Sequence, residues 1–215
     1  MKLFRQDLIL YAVTDRRWLG DRTLYHVVKE ALEGGVTMVQ LREKDLDHEA
    51  FKAEAQKIQS LCMDFDVPFI INDNVQLAIE LHADGVHVGQ SDMEAGKVRK
   101  MIGPDKILGV SVGTPEEAVL AQSQGADYLG AGAVFPTGSK SDAIDVSYET
   151  LKQICGAVNI PVVAIGGINS DNIVELAGSK IAGVAVISAI FASENIKEAA
   201  LNLFSFSQDL FYLND

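Results

Sequence analysis

Residues Ala164 to Asn172 read AIGGINSDN. The β-branched run that ends at Ile165 meets two adjacent glycines and then a polar stretch, so a strand enters a tight turn here. The position of that turn separates two folds. A doubly wound sheet places its glycine fingerprint after the first strand, but there this chain reads Thr14-Asp15-Arg16-Arg17-Trp18. An eight-stranded barrel instead builds a phosphate site from the ends of its seventh and eighth strands. Gly166 and Gly167 follow the seventh apolar run. The expected fold is therefore α/β, a (β/α)8 TIM barrel, with residues 1–215 as a single domain.

Outward from that turn, the same alternation covers the whole chain. Strands are expected at Leu10 to Thr14, Met38 to Arg42, Phe69 to Asn72, Gly85 to Val88, Ile107 to Val112, Tyr128 to Val134, Val162 to Ile165 and Val184 to Ile187. Helical spacing separates them at Leu24 to Glu33, Glu49 to Phe65, Val75 to Leu81, Ala95 to Met101, Glu116 to Gln124 and Tyr148 to Ala157. Small residues recur where a helix ends and a strand begins, as in Gly34-Gly35-Val36, Ala83-Asp84-Gly85, Gly125-Ala126-Asp127 and Ala182-Gly183-Val184. No Pro/Ser-rich linker or shift in composition divides the chain.

Composition narrows the function classes. Hydrophobic residues make up 48% and charged residues 22% of 215 positions, enough apolar material for a sizeable core. A formal net charge of -12 repels polyanions, so no nucleic-acid partner and no anionic membrane surface are expected. An anionic ligand would need a local cationic pocket. No run approaches the ~18 apolar residues of a membrane span, and the N-terminal stretch lacks a small-residue cleavage site, so a cytoplasmic location is expected. Cys62 and Cys155 form neither a disulfide framework nor a metal-ligand pattern. Nothing in the sequence sets an oligomeric state.

Barrel ligands sit over the C-terminal ends of the strands, and those ends are polar here. In MVQLREKDL, residues 38–46, strand parity puts Gln40, Arg42 and Lys44 on one face. Asn72 and Asp73 end strand three, Gln90 and Asp92 follow strand four, and Ser111 lies in strand five. Pro136-Thr137-Gly138-Ser139-Lys140 follow strand six, and Ser188 follows strand eight. Arg42, Lys44 and Lys140 supply cationic donors, while Gly167 and the amides near Ser188 supply a second anion cradle. Asp73 and Asp92 suit an oxygen-seeking cation such as Mg2+, which combines a few carboxylates with substrate phosphate oxygens. A metal-bound diphosphate beside a monophosphate accounts for both sets.

Each of these residues also has a plainer reading. Asp73 and Asp92 stand where helix caps belong, Arg42 and Lys44 fit a surface ion-pair ladder, and residues 137–140 fit an ordinary loop. Gly166 and Gly167 fit a tight turn alone. His87 fits a structural histidine as well as a base, and Arg16-Arg17-Trp18 fits a lid or a solvated loop. It is the combination that favours function.

That combination resembles the thiamine phosphate synthase family. The matching segments are QLREK at 40–44, IND at 71–73, GVHVGQSD at 85–92, GVS at 109–111, FPTGSK at 135–140, AIGGI at 164–168 and VISAI at 186–190, in the family's order. The resemblance implies transfer of an aminopyrimidine methyl group from diphosphate to a thiazole phosphate, or its carboxylated form, giving thiamine phosphate. It implies that Gln40, Arg42, Lys44, Asn72, Ser111 and Lys140, with Leu41 and Glu43 inside the first segment, hold the pyrimidine diphosphate. It further implies Asp73 and Asp92 on Mg2+, and Thr137, Gly138, Ser139, Gly167, Ile187 and Ser188 on the thiazole phosphate. Arg42, Lys44 and Lys140 would then stabilise the leaving group. Three positions depart from the family's usual pattern: Ser139 replaces a threonine, Asn74 replaces an acidic residue, and His82 replaces a glycine. A thiazole tautomerase would not need Asn72, Asp73, Asp92 and Lys140 together. A non-catalytic sensor would need an effector module that the sequence does not display.

Overall fold

The computed structural model describes residues 3–138 and 145–214; the site candidates Ser139 and Lys140 lie outside the described residues. Eight parallel strands close into a barrel in sequence order: β1 Leu10–Val13, β2 Met38–Leu41, β3 Phe69–Asn72, β4 Gly85–Val88, β5 Ile107–Val112, β6 Tyr128–Ala131, β7 Val162–Ile165 and β8 Gly183–Val186. Pairing of Leu10 with Val184 closes the ring. Closure leaves these eight strands without an open sheet edge.

Helices α1 Leu24–Glu33, α2 His48–Asp64, α3 Val75–Glu80, α4 Ala95–Ile102, α5 Pro115–Ser123 and α6 Tyr148–Ala157 follow the first six strands. Local chemistry starts most of them. Thr23, Asp47, Asn74, Thr114 and Ser147 each accept an amide hydrogen of the first turn. After β7 the chain makes only a 3₁₀ turn at Ile173–Leu176, and after β8 a short α7, Ser188–Phe191. The last element, α8 Ile196–Asn214, goes beyond the helices named from the sequence; Ile196, Ala200, Leu203 and Leu210 bury its inner stripe against the barrel.

Two apolar layers result from strand parity. One set of side chains, including Leu10, Ala12, Val39, Leu41 and Phe69, packs outward against the helices. The alternate set, Tyr11, Val13, Met38, Ile70, Ile107, Tyr128, Val163 and Ala185, fills the barrel interior. Along β2 to β5 that interior set changes character toward the C-terminal end, from Met38 to Gln40, Ile70 to Asn72, and Ile107 through Gly109 to Ser111. The lower barrel is sealed by hydrophobic packing, and its upper mouth is polar.

Strand ends shift slightly from the sequence expectation. β1 and β2 stop at Val13 and Leu41, one residue early, because Thr14 and Arg42 turn toward each other: the Arg42 amide donates to Thr14 Oγ1 at 2.9 Å. β6 stops at Ala131 rather than Val134. Beyond Gly132 the backbone leaves the ladder, although Val134 and Phe135 still donate to the carbonyls of Ile165 and Gly166. This bond pair draws the loop after β6 over the end of β7.

Candidate active site

A cavity of about 340 Å³ opens at the C-terminal mouth of the barrel. Arg42, Lys44, Asn72, Asp73, Asp92, Ser111, Thr137, Gly167, Ile187 and Ser188 line it together. These residues come from seven different strand ends and span roughly two thirds of the sequence length. Four further sequence candidates are placed otherwise. Gln40 is buried and donates to the Tyr11 hydroxyl at 2.6 Å. Leu41 faces the helices. Glu43 is drawn to Arg16, whose Nε lies 2.7 and 2.8 Å from its two oxygens, and Gly138 offers its carbonyl to Arg17 at 3.4 Å.

The loop after β1 organises the cationic side of the mouth. Asp15, only 6% exposed, accepts hydrogen bonds from the Arg17 amide and guanidinium, and its carboxylate lies 3.7 Å from Arg42 Nη1. Burial works to raise the Asp15 carboxyl, but the bonds from Arg17 and the charges of Arg17 and Arg42 outweigh it and hold the group below its ordinary value. Glu43 shows the opposite balance: burial exceeds the help from Arg16 and raises its carboxyl. Arg16 and Arg17 thus act as braces between the first, second and sixth strand ends. Arg17 and Trp18 remain exposed, so the segment is a solvated loop pinned at its arginines. Thr14 and Asp15 were missed because strand one reads as purely apolar up to Val13; their place at a strand end was the available signal.

The two carboxylates proposed for a cation do not cap helices. Asn74, not Asp73, caps α3, and Glu94 precedes α4 without a side-chain cap bond. Asp73 holds a left-handed backbone, φ 60°, and its amide donates to the His87 carbonyl at 2.8 Å. Asp92 accepts the Gly89 amide at 2.7 Å, which closes the loop after β4 and turns the carboxylate toward the cavity. Among the described residues no group of three or more His, Cys, Asp or Glu is arranged to hold a metal by itself. Two carboxylates in a cationic mouth match the manner in which Mg2+ binds, with water and substrate phosphate completing its shell. Glu117, also in the lining, instead accepts the Gly113 amide at 2.7 Å.

The glycine turn after β7 is shaped by close approach. Gly166 and Gly167 have φ of 103° and 66°. A Cβ on Gly167 would stand 2.5 Å from the Pro136 carbonyl oxygen, and one on Gly166 would stand 2.5 Å from the Ala133 Cβ. Only glycine lets the loops after β6 and β7 approach this closely. Asn172 donates to the Gly167 carbonyl at 2.9 Å and fixes the turn from below.

His87, left between core and mouth by its sequence, belongs to both. Its Nδ1 lies 2.9 Å from the Tyr128 hydroxyl and its Nε2 lies 2.9 Å from Ser111 Oγ. The Tyr128 hydroxyl in turn lies 2.8 Å from that of Tyr11. Neither cysteine lines this mouth. Burial pushes the Cys155 thiol up to about 11 and raises Cys62 further, so both remain thiols.

Comparison with known proteins agrees with this geometry. The family model described as thiamine monophosphate synthase matches residues 10–190. Thiamine-phosphate synthase of Clostridium tetani is 52% identical over 200 residues, covering 93% of this chain and 96% of that protein. The protein of the same name from Ruminiclostridium cellulolyticum is 50% identical over 197 residues, covering 92% and 94%. Among solved structures, thiamine phosphate pyrophosphorylase from Pyrococcus furiosus superposes with a TM-score of 0.89 at 40% identity, covering 96% of this chain and 98% of that one. With its closed barrel and its strand-end mouth, the chain belongs to the thiamine monophosphate synthase family of transferases.

Proposed function

We propose that the barrel mouth joins an aminopyrimidine methyl diphosphate to a thiazole phosphate, or to its carboxylated form with loss of CO2, yielding thiamine phosphate and diphosphate. The observation that carries this reading is the meeting of Arg42, Lys44, Asp73, Asp92 and Ser111 with Gly167 and Ser188 in one cavity. The first five suit a diphosphate with its counter-ion, and the last two suit a separate monophosphate. A proton shift on a thiazole phosphate alone would call for neither the carboxylate pair nor both cations.

The bond from the pyrimidine methylene carbon to the diphosphate oxygen breaks, its electron pair leaving with oxygen. The lone pair of the thiazole nitrogen then forms the new carbon–nitrogen bond. Because the electron-rich aminopyrimidine stabilises the cationic carbon, the protein's task is to hold two partners in line and to neutralise the leaving group. Arg42 and Lys44 face the departing charge, joined by Lys140 in the family pattern. Asp15 and Thr14 keep Arg42 in position. Asp73 and Asp92 would hold Mg2+, which when bound draws charge from the diphosphate oxygens as a Lewis acid. Thr137, Gly167, Ile187 and Ser188 hold the thiazole phosphate, joined by Gly138 and Ser139 in the family pattern, while Asn72 and Ser111 surround the pyrimidine side. Diphosphate release measured with both synthetic substrates, with and without Mg2+, tests the reaction: one diphosphate per thiamine phosphate is expected, and a thiazole altered without pyrimidine consumption would overturn it.

A further inference from the structure

Five side chains on five strands form a continuous line from the barrel interior to the mouth. The Gln40 amide donates to the Tyr11 hydroxyl at 2.6 Å, and the Tyr11 and Tyr128 oxygens are 2.8 Å apart. The Tyr128 oxygen is 2.9 Å from His87 Nδ1, and His87 Nε2 is 2.9 Å from Ser111 Oγ. Gln40, Tyr11 and Tyr128 are buried, His87 is buried at the cavity wall, and Ser111 opens into the cavity. The backbone is cut to fit this line. In the strand register Gly109 stands between His87 and Tyr128, and a Cβ there would lie 2.3 Å from the Tyr128 oxygen and 2.5 Å from His87 Nδ1.

Proton counting gives the line a direction. Each phenol has one hydrogen to donate, and a neutral imidazole has one N–H and one acceptor nitrogen. Because Gln40 is a donor to the Tyr11 oxygen, the buried Tyr11 hydrogen finds its acceptor in the Tyr128 oxygen. The Tyr128 hydrogen then goes to His87 Nδ1. The single imidazole hydrogen must sit on Nε2 and point at Ser111 Oγ. Ser111's own hydrogen is left for the cavity. Desolvation holds both phenols protonated by raising Tyr11 and Tyr128 above their ordinary value. The far end agrees: a mouth lined by Arg42 and Lys44 is built for a ligand rich in acceptor atoms, and a donating serine suits such a ligand.

We propose that Gln40, acting from inside the barrel, fixes His87 as the Nε2–H tautomer and so commits the Ser111 hydroxyl to donate to the ligand. Gln40, Tyr11, Tyr128 and His87 are positioning residues that act through Ser111. Reversal of the Gln40 amide would turn every bond around and present Ser111 as an acceptor, so one buried amide sets the sign of recognition at the mouth. A site with a fixed donor discriminates against a ligand that places a donor at the same point. Only the identity of the accepting atom, a pyrimidine nitrogen or a diphosphate oxygen, rests on the proposed function.

The test is long-range ¹H–¹⁵N correlation spectroscopy on the full chain labelled at its four histidines, with His87 assigned by the signals lost in His87→Gln. The unmutated chain is expected to show a pyridine-like Nδ1 and a pyrrole-like Nε2 at His87. Gln40→Met, which does not touch the ring, and Tyr128→Phe are expected to move both nitrogens toward averaged values. Tyr128→Phe is also expected to raise KM for the pyrimidine diphosphate roughly three- to tenfold, the scale of one hydrogen bond, with KM for the thiazole phosphate unchanged. An Nδ1–H tautomer or an imidazolium in the unmutated chain would overturn the proposal, as would a folded Gln40→Met chain whose His87 signals do not move. Failure of the unmutated chain to join the two rings would instead sink the proposed reaction, because the tautomer is read without substrate.

Discussion

The guanidinium of Arg42 lies 3.7 Å from the buried carboxylate of Asp15, across the gap between the first and second strand ends. Arg17 binds the same carboxylate at 2.6 Å, so a single anion orders two cations at the rim. Arg42 is therefore an oriented charge rather than a flexible surface group.

That arrangement has a pH signature. The Asp15 carboxyl is held below its ordinary value, so between its folded and unfolded values the unfolded chain binds more protons. Its contribution to stability is present above the unfolded value of about 3.9 and is lost as pH falls through the lower folded value. Asp15→Asn should lower stability at neutral pH by about 1–3 kcal/mol, as expected for a part-buried charged partner. It should also flatten the acid limb of a urea-unfolding series taken across that window.

The carboxylate pair predicts a metal phenotype. Asp73→Asn and Asp92→Asn should each raise the Mg2+ concentration needed for half-maximal turnover by roughly ten- to a hundredfold, the range typical of groups at metal sites. KM for the thiazole phosphate should change little. Mg2+ titration of steady-state turnover checks both. Loss of activity that no Mg2+ concentration restores, together with loss of fold by circular dichroism, would assign these residues to architecture instead.

At Gly167, which lines the cavity, the proposed function makes the backbone the ligand-facing group. Gly167→Ala adds a Cβ only 2.5 Å from the Pro136 carbonyl oxygen at a φ of 66°. The variant should lose on the order of 1–3 kcal/mol of stability and show a higher KM for the thiazole phosphate than for the pyrimidine diphosphate. Equal effects on both would move Gly167 out of the monophosphate cradle.

Away from the mouth, His82 occupies the left-handed position after α3 with φ 52°, where the family commonly has glycine. His82→Gly should stabilise the chain by about 1 kcal/mol, the usual cost of a side chain in that conformation. The urea midpoint should rise with an unchanged slope.

Much of this architecture is legible in the linear sequence because strand parity and strand ends are local properties. Met38, Gln40, Arg42 and Lys44 alternate as a strand with one polar face should, and that face does point into the barrel and its mouth. The glycine pair after Ile165 marked the seventh strand end for the same reason. What escaped the sequence is pairing across the barrel. Tyr11 and Tyr128 read as ordinary core aromatics, and nothing near either one announces a partner 117 positions away. Gln40 was therefore expected to reach the ligand directly, because its phenolic partner lies on another strand. Val134 and Phe135 look like strand residues, yet their amides follow the turn after β7 rather than a ladder. The stripe Ile196, Ala200, Leu203 and Leu210 was readable as a helix from its spacing alone.

The central claim is that oriented positive charge at the mouth drives departure of diphosphate. Single-turnover rapid quench of Arg42→Ala, with both rings bound and Mg2+ saturating, measures this directly. A fall in the carbon–oxygen cleavage rate on the order of 10²- to 10³-fold is predicted, the scale of one lost group that stabilises transition-state charge. A cleavage rate equal to that of the unmutated chain would contradict the account.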